Sequence, residues 1–291
     1  MSERVHILAT VRRAELMPAT RMVFRTLRTG FPGAEVNVWG NLLSAMAERT
    51  VEADTQEVGG MYCNLPDTSH DAWIEGLIQR SVEPFWVLDT DVVFWGNVEG
   101  RREEWAGAAF AGRFEPEFNE EWTQTVHVER LHTAVMWIDP CEVRNVIRGW
   151  MARVPCPWRY SAEFPFIRQT FVARRGGKTL FYDTMSGLWQ AGGGQAFSEE
   201  TDKLFDHLHC GTYVDLVTPH LSVANMAEQQ RQIYQDLELA RGLREMQAQY
   251  YERQTTRLRQ GYGGQAGLQG SGGQAGLQGS GGQAENAKNI E

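Results

Sequence analysis

Two carboxylates one residue apart, Asp89 and Asp91, close an apolar run, Phe85-Trp86-Val87-Leu88, and a second run, Val92-Val93-Phe94-Trp95, follows them. A short continuous apolar run reads as a strand buried on both faces, as in a parallel sheet. Side chains alternate along a strand, so the two Asp are expected on one side of it. They stand where the strand leaves the core, the edge at which open α/β sheets bind ligands. Two carboxylates on one face repel each other, and a cation between them removes the conflict. Hard oxygen ligands suit Mg²⁺ or Mn²⁺, which keep one or two protein carboxylates and complete their shell with water and substrate phosphates. The stretch therefore reads as a platform for a metal–diphosphate. The bland reading is an acidic turn in which one Asp caps a helix or pairs with an Arg.

The elements that must position this pair read as α/β. Residues 5–11 form a first buried strand, and residues 16–27 an amphipathic helix ended by Gly30, Pro32 and Gly33. Residues 35–39 alternate as a second strand and 42–47 read as a short helix, while 50–69 carry no regular pattern. A helix over 71–79 leads into the strand at Phe85. This order argues for a parallel sheet. In that register Thr10, Arg12, Arg13 and the loop after Trp39 share the sheet edge of Asp89 and Asp91, where a nucleotide could lie. Beyond it, 106–111 reads as a strand of small residues, 113–128 as a loop or hairpin arm, and 131–139 as a buried strand stopped by Pro140. Helices are expected over 141–153 and 163–174, a strand over 178–183, and a strand-like piece at Leu188 and Trp189. Residues 204–212 follow, with His207 and His209 on one side if they form a strand.

Composition bounds the rest. The chain has 291 residues, 42% hydrophobic, enough for a substantial core. A net charge of −9 argues against a nucleic-acid surface. Cys63, Cys141, Cys156 and Cys210 are scattered, which argues against a zinc knuckle or a disulfide scaffold and for a reducing compartment. Neither a signal peptide nor a transmembrane segment of ~20 apolar residues is evident, so a cytoplasmic protein is expected. No phosphate-binding Gly-x-x-x-x-Gly-Lys-Ser/Thr loop is present. The main domain is expected over residues 1–220. Residues 221–260 read as a long amphipathic helix, about 223–259, whose apolar stripe would offer a contact to its own domain, a second chain in a dimer, or a partner. Residues 261–291 carry a nine-residue Gly/Gln/Ser repeat and read as a disordered tail.

The order of these features, an α/β half, then Asp89-Thr90-Asp91, then a strand and helix from 131, then His209-Cys210-Gly211, resembles the GT-A fold of nucleotide-sugar-dependent glycosyltransferases across about residues 4–217. The resemblance implies a GT-A-like, Rossmann-type mixed sheet flanked by helices, followed here by the helical arm and tail. It implies a metal-dependent transfer of a sugar, by a hexosyltransferase-like enzyme, from a nucleotide-diphosphate sugar donor to a saccharide or other hydroxyl acceptor. Asp91 would bind Mn²⁺ or Mg²⁺, Asp89 the metal or the ribose, and His209, or alternatively His207, would complete the metal shell. Thr10 and Arg12 would border the nucleotide. His132 and Thr133 stand where related enzymes often have Asn-Ser-Gly facing the donor sugar, a departure from that pattern. Glu163 or Asp183 would take the acceptor's proton in an inverting reaction. The bland alternatives are a core histidine at His132, a helix-dipole acid at Glu163, and core roles for Trp122, Trp158 and Trp189. Leu88-Asp89-Thr90-Asp91-Val92-Val93 also fits the first motif of haloacid-dehalogenase-like phosphatases, in which the first Asp is a nucleophile. A third reading is a degenerate transferase kept as a non-catalytic interaction module.

Overall fold

The computed structural model describes residues 3–10, 17–120, 124–154, 166–173 and 177–207. The chain divides into two units, Met1–Gln247 and Ala248–Glu291, and every described residue belongs to the first. Arg12, Trp122, Trp158, Glu163, His209, the helix expected over 223–259 and the tail lie outside the described residues.

The expected opening holds. β1 (Arg4–Ala9), α1 (Met17–Gly30), β2 (Glu35–Asn41), α2 (Ala45–Glu57), β3 (Met61–Leu65), α3 (His70–Arg80) and β4 (Phe85–Asp89) follow in order. β4 pairs in parallel with β1, β1 with β2, and β2 with β3. The chain then runs through β5 (Val92–Phe94), a 3-10 segment (Glu99–Trp105), β6 (Phe110–Glu115), β7 (Phe118–Glu120), β8 (Thr125–His127), β9 (Arg130–Ile138) and α4 (Pro140–Arg153). After it come β10 (Thr170–Ala173), β11 (Thr179–Tyr182), α5 (Ser186–Ala191), β12 (Gly194–Ala196), α6 (Glu199–Asp202) and β13 (Phe205–His207).

A seven-stranded sheet has the order β12-β6-β9-β4-β1-β2-β3. It is mixed, as the GT-A resemblance implied, and not parallel throughout, because β9 runs antiparallel between β4 and β6. β4 shows why its sequence is apolar throughout. Phe85 and Val87 pack on one face with Trp73, Ile74 and Leu77 of α3, Ile138 of β9 and Val143 of α4. Trp86 and Leu88 pack on the other with Phe24 and Leu27 of α1 and with Phe31, Trp105 and Phe197. Both faces are covered by helices, so alternation disappears. Asp139 begins α4 by accepting from the amides of Cys141 and Glu142, with Pro140 in the first turn.

Several elements differ from expectation. Residues 50–69 are not irregular: α2 extends to Glu57 and β3 follows. α2 buries Asp54 and Thr55 beside Ala47 and Val51. Asp54 is held by two bonds from Arg21, at 2.8 Å each, and the Thr55 hydroxyl donates to the Val51 carbonyl at 2.6 Å. A face made of a paired charge and a bonded hydroxyl leaves little apolar periodicity to read. β6 begins at Phe110 and runs to Glu115, past the small residues that suggested it. Residues 170–173, assigned to a helix, are strand β10, and Leu188 and Trp189 lie in helix α5, not a strand.

A four-stranded sheet, β10-β11-β8-β7, stands apart from the large one. Phe118, His127, Phe181 and Phe171 are cross-strand partners in one row across it. Phe118 stacks on His127 at 4.0 Å and Phe171 on Phe181 at 4.6 Å. Such pairs hold a small sheet together.

His6 of β1 gives the fold a pH dependence. Its Nδ1 accepts from the Trp39 indole N–H at 3.1 Å, and only 5% of the residue is exposed. Burial, with the Arg4 guanidinium adding to it, pushes the imidazole down to about 4. Below pH 6.5 the unfolded chain takes up a proton that the folded chain refuses, so stability falls from pH 6.5 to about 4. The expected loss approaches ~3 kcal/mol. Urea melts at pH 7 and 4.5 test this: His6→Leu should flatten the decline, and an unchanged decline would contradict it.

Candidate metal and nucleotide site

The site is built at the carboxyl edge of the parallel strands. β4 ends at Asp89, which is level with Leu8 of β1. The two carboxylates do not share one strand by alternation, as expected from the sequence. The chain turns at Thr90 and Asp91 and re-enters as β5. β5 pairs antiparallel with β13, placing His207 opposite Val92, the neighbour of Asp91. The turn therefore brings Asp91 to His207 while Asp89 stays at the strand end.

One donor atom each from Asp89, Asp91 and His207 lies within 4.8 Å of the others. His207 Nε2 is 3.2 Å from Asp91 Oδ1 and 3.8 Å from Asp89 Oδ2. Asp91 and His207 are buried, and Asp89 is partly exposed. Burial works against charge on His207, but Asp91 beside it, with Asp89 and Glu115, outweighs burial and raises the imidazole above the ordinary histidine value. Two hard oxygens and an imidazole converging on one point fit a divalent cation of the Mg²⁺ or Mn²⁺ kind.

β13 is held from several directions. The Trp95 indole donates to Asp206 Oδ2 at 2.8 Å, and the Trp95 amide to the Leu204 carbonyl at 2.7 Å. Arg113 Nη2 donates to the carbonyls of Asp202 at 2.8 Å and Phe205 at 3.1 Å, and the guanidinium lies 4.4 Å from the centre of the Phe205 ring. Arg113 follows a register shift in β6: Gly112 pairs with Met136 but Arg113 with His132. Glycine suits the close approach there, since a Cβ at 112 would stand 3.2 Å from the His132 carbonyl.

His132 lies against His207, ring centres 4.7 Å apart. Its Nδ1 accepts from the Ala134 amide at 3.0 Å, so a ring proton sits on Nε2, 3.4 Å from Glu115 Oε1. Glu115 is bound in turn by Arg130 Nε at 2.9 Å, and Arg130 Nη1 reaches Asp183 Oδ2 at 2.8 Å. A cavity of about 50 Å³ beside His207 is lined by Arg113, Glu115, His132 and Phe205 among others. It has room for water.

The structure thus brings Asp89, Asp91, His207 and His132 together. Thr10, exposed, directly follows β1 at the same sheet edge. Thr133 is buried in β9. Asp183 follows β11, ion-paired with Arg130, its Oδ1 accepting from the Thr184 amide at 2.7 Å. Sequence reasoning passed over His70, whose Nε2 is 3.5 Å from Asp89 Oδ1. The signal was available in the order of elements: a helix that follows a parallel strand starts at the carboxyl edge, and α3 follows β3. Arg113, Glu115 and Arg130 were passed over too, since their relation to the site depends on the register shift in β6.

No protein-family model matches the chain, and no curated protein sequence does. Solved structures do. The galactosyltransferase LgtC, in complex with donor and acceptor sugar analogues, is similar over 82% of this chain and 95% of its own, at TM-score 0.41 and 11% identity. The glycosyltransferase GlyE of Streptococcus pneumoniae is similar over 69% of this chain and 46% of its own, at TM-score 0.40 and 10% identity. A cytidylyltransferase from Leptospira borgpetersenii serovar Hardjo-bovis is similar over 79% and 88%, at TM-score 0.38 and 8% identity. The chain spans less than half the length of the GlyE chains it matches. Likenesses this distant assign no role to any residue here. Among the described residues no helix is long and apolar enough to cross a membrane.

Proposed function

We propose that this protein is a metal-dependent glycosyltransferase that moves a sugar from a nucleotide-diphosphate sugar to an acceptor hydroxyl. The observation that carries the reading is the convergence of Asp89, Asp91 and His207 within 4.8 Å at the carboxyl edge of the parallel strands. These three residues would hold the metal, Mn²⁺ or Mg²⁺, with His209 kept as an alternative histidine. The cation would supply Lewis-acid stabilisation of the charge that builds on a diphosphate leaving group.

The chain's own residues supply position. The pairing of β5 with β13 fixes His207 beside Asp91, and the strut from Arg113 keeps β13 from drifting. Thr10, Arg12 and the loop after β2 are assigned to the nucleotide, and His132 and Thr133 to the donor sugar. Asp183 is already engaged by Arg130, its Oδ2 2.8 Å from Nη1. We therefore assign the acceptor's proton to Glu163 for an inverting transfer. The acceptor is assigned as a saccharide or another hydroxyl compound, and the compartment as the cytoplasm.

A phosphatase with Asp89 as nucleophile would need a lysine against the phosphate. Both lysines among the described residues are engaged on the surface, Lys178 with Asn119 at 3.3 Å and Lys203 with Glu199 at 2.6 Å. The proposal is tested by incubating the full chain with UDP-, GDP- and dTDP-sugars and measuring free nucleoside diphosphate. Release with one donor class, abolished by EDTA, is the expected result. No release from any donor, with phosphomonoester hydrolysis lost in Asp89→Asn, would contradict it.

A further inference from the structure

We infer that His70 is a positioning residue of the metal site, holding Asp89 by one oxygen so that the other faces the cation. The inference rests on the metal reading above. Asp89 stands between two imidazoles: Oδ1 is 3.5 Å from His70 Nε2, and Oδ2 is 3.8 Å from His207 Nε2. The two oxygens are thus claimed from different sides, one by α3 and one by β13. A carboxylate facing a cation through one oxygen needs its other oxygen held, or it rotates.

The second observation is independent of these distances. His70 Nε2 is closed off from solvent and makes no hydrogen bond among the described residues. A covered ring nitrogen without a partner is destabilising. Its polar neighbour, at 3.5 Å, is Asp89. A small rotation of the carboxylate, of the kind metal binding would impose, turns this approach into a hydrogen bond from Nε2–H.

The ring is also held in advance. It stacks on Trp73 at 5.9 Å and 26°, and Trp73 is 3% exposed. The first turn of α3 is tied down by Asp71, which accepts from Ser69 Oγ, the Ala72 amide at 2.8 Å and the Gln169 amide at 3.0 Å. His70 therefore meets Asp89 from a rigid element, as a residue that aims a metal ligand must.

The test titrates Mn²⁺ alone into the full-length protein and reads free Mn²⁺ by electron paramagnetic resonance. His70→Phe keeps a ring on Trp73 and removes the nitrogen. It should lower Mn²⁺ affinity by about 10-fold or more, with a melting temperature in EDTA no lower than that of wild type. His70→Gln, which retains an N–H donor, should recover part of the loss. Pulsed measurements on bound Mn²⁺ should show one histidine nitrogen, from His207, before and after the change. Equal affinity in wild type and His70→Phe would overturn the inference alone, and so would a histidine nitrogen on the metal that is lost in His70→Phe, since His70 would then be a ligand. A wild-type protein that binds no Mn²⁺ would overturn the metal reading and the inference together.

Discussion

Asp91→Asn is expected to reduce Mn²⁺ affinity, and with it the binding of UDP or GDP, by more than about 100-fold, beyond the range seen for outer partners of a metal site. Asn keeps the shape of the side chain and removes its charge. Asp91 is 9% exposed and sits 3.2 Å from His207, so no neighbouring water or flexible acid can replace it cheaply. The loss should appear in calorimetric titrations of the nucleoside diphosphate with Mn²⁺ present, and the EDTA control should match the variant. The metal-free melting temperature separates a lost ligand from a lost fold. Undiminished diphosphate binding in a folded Asp91→Asn protein would remove Asp91 from the site.

The largest expected effect on stability is at Trp86, three residues before Asp89. Its side chain is fully buried, 4.9 Å from Phe31, 5.6 Å from Trp105 and 6.3 Å from Phe197, ring centre to ring centre. Trp86→Ala should cost about 3–5 kcal/mol through lost burial and the cavity left behind. Because Trp86 lies in β4, the same change should loosen the strand that presents Asp89. Trp86→Phe is a sharper test. The Trp86 indole N–H is buried without a hydrogen bond among the described residues, so removing it also removes a desolvation cost. Phe should therefore cost much less than Ala in urea melts, and an equal cost would contradict this packing.

The parts of this protein that were legible in its sequence are those in which one force dominates. β1 and β4 are buried on both faces and were read directly. The Asp-x-Asp was legible as two acids at a strand end, but not the way they meet. Alternation along a strand suggested it, whereas the turn at Thr90 and Asp91 and the pairing of Val92 with His207 achieve it. The length of α2 beyond residue 47 escaped because its buried face includes Asp54, made acceptable by Arg21 across the helix pair. β10 falls inside the stretch 163–174 read as a helix, whereas the structure makes it a strand that exposes Phe171. His70 escaped for a different reason. It is far from the carboxylates along the chain, and only the parallel order of β3 and β4 brings the start of α3 to the same edge.

The central claim is that Asp89, Asp91 and His207 hold a divalent cation that binds a nucleoside diphosphate. It is tested most directly by titrating Mn²⁺ into wild-type protein under electron paramagnetic resonance, then adding UDP or GDP. One bound Mn²⁺ per chain, held more tightly once the diphosphate is present, is the expected result. A folded protein that takes up no Mn²⁺, or whose bound Mn²⁺ is indifferent to both nucleotides, would contradict it.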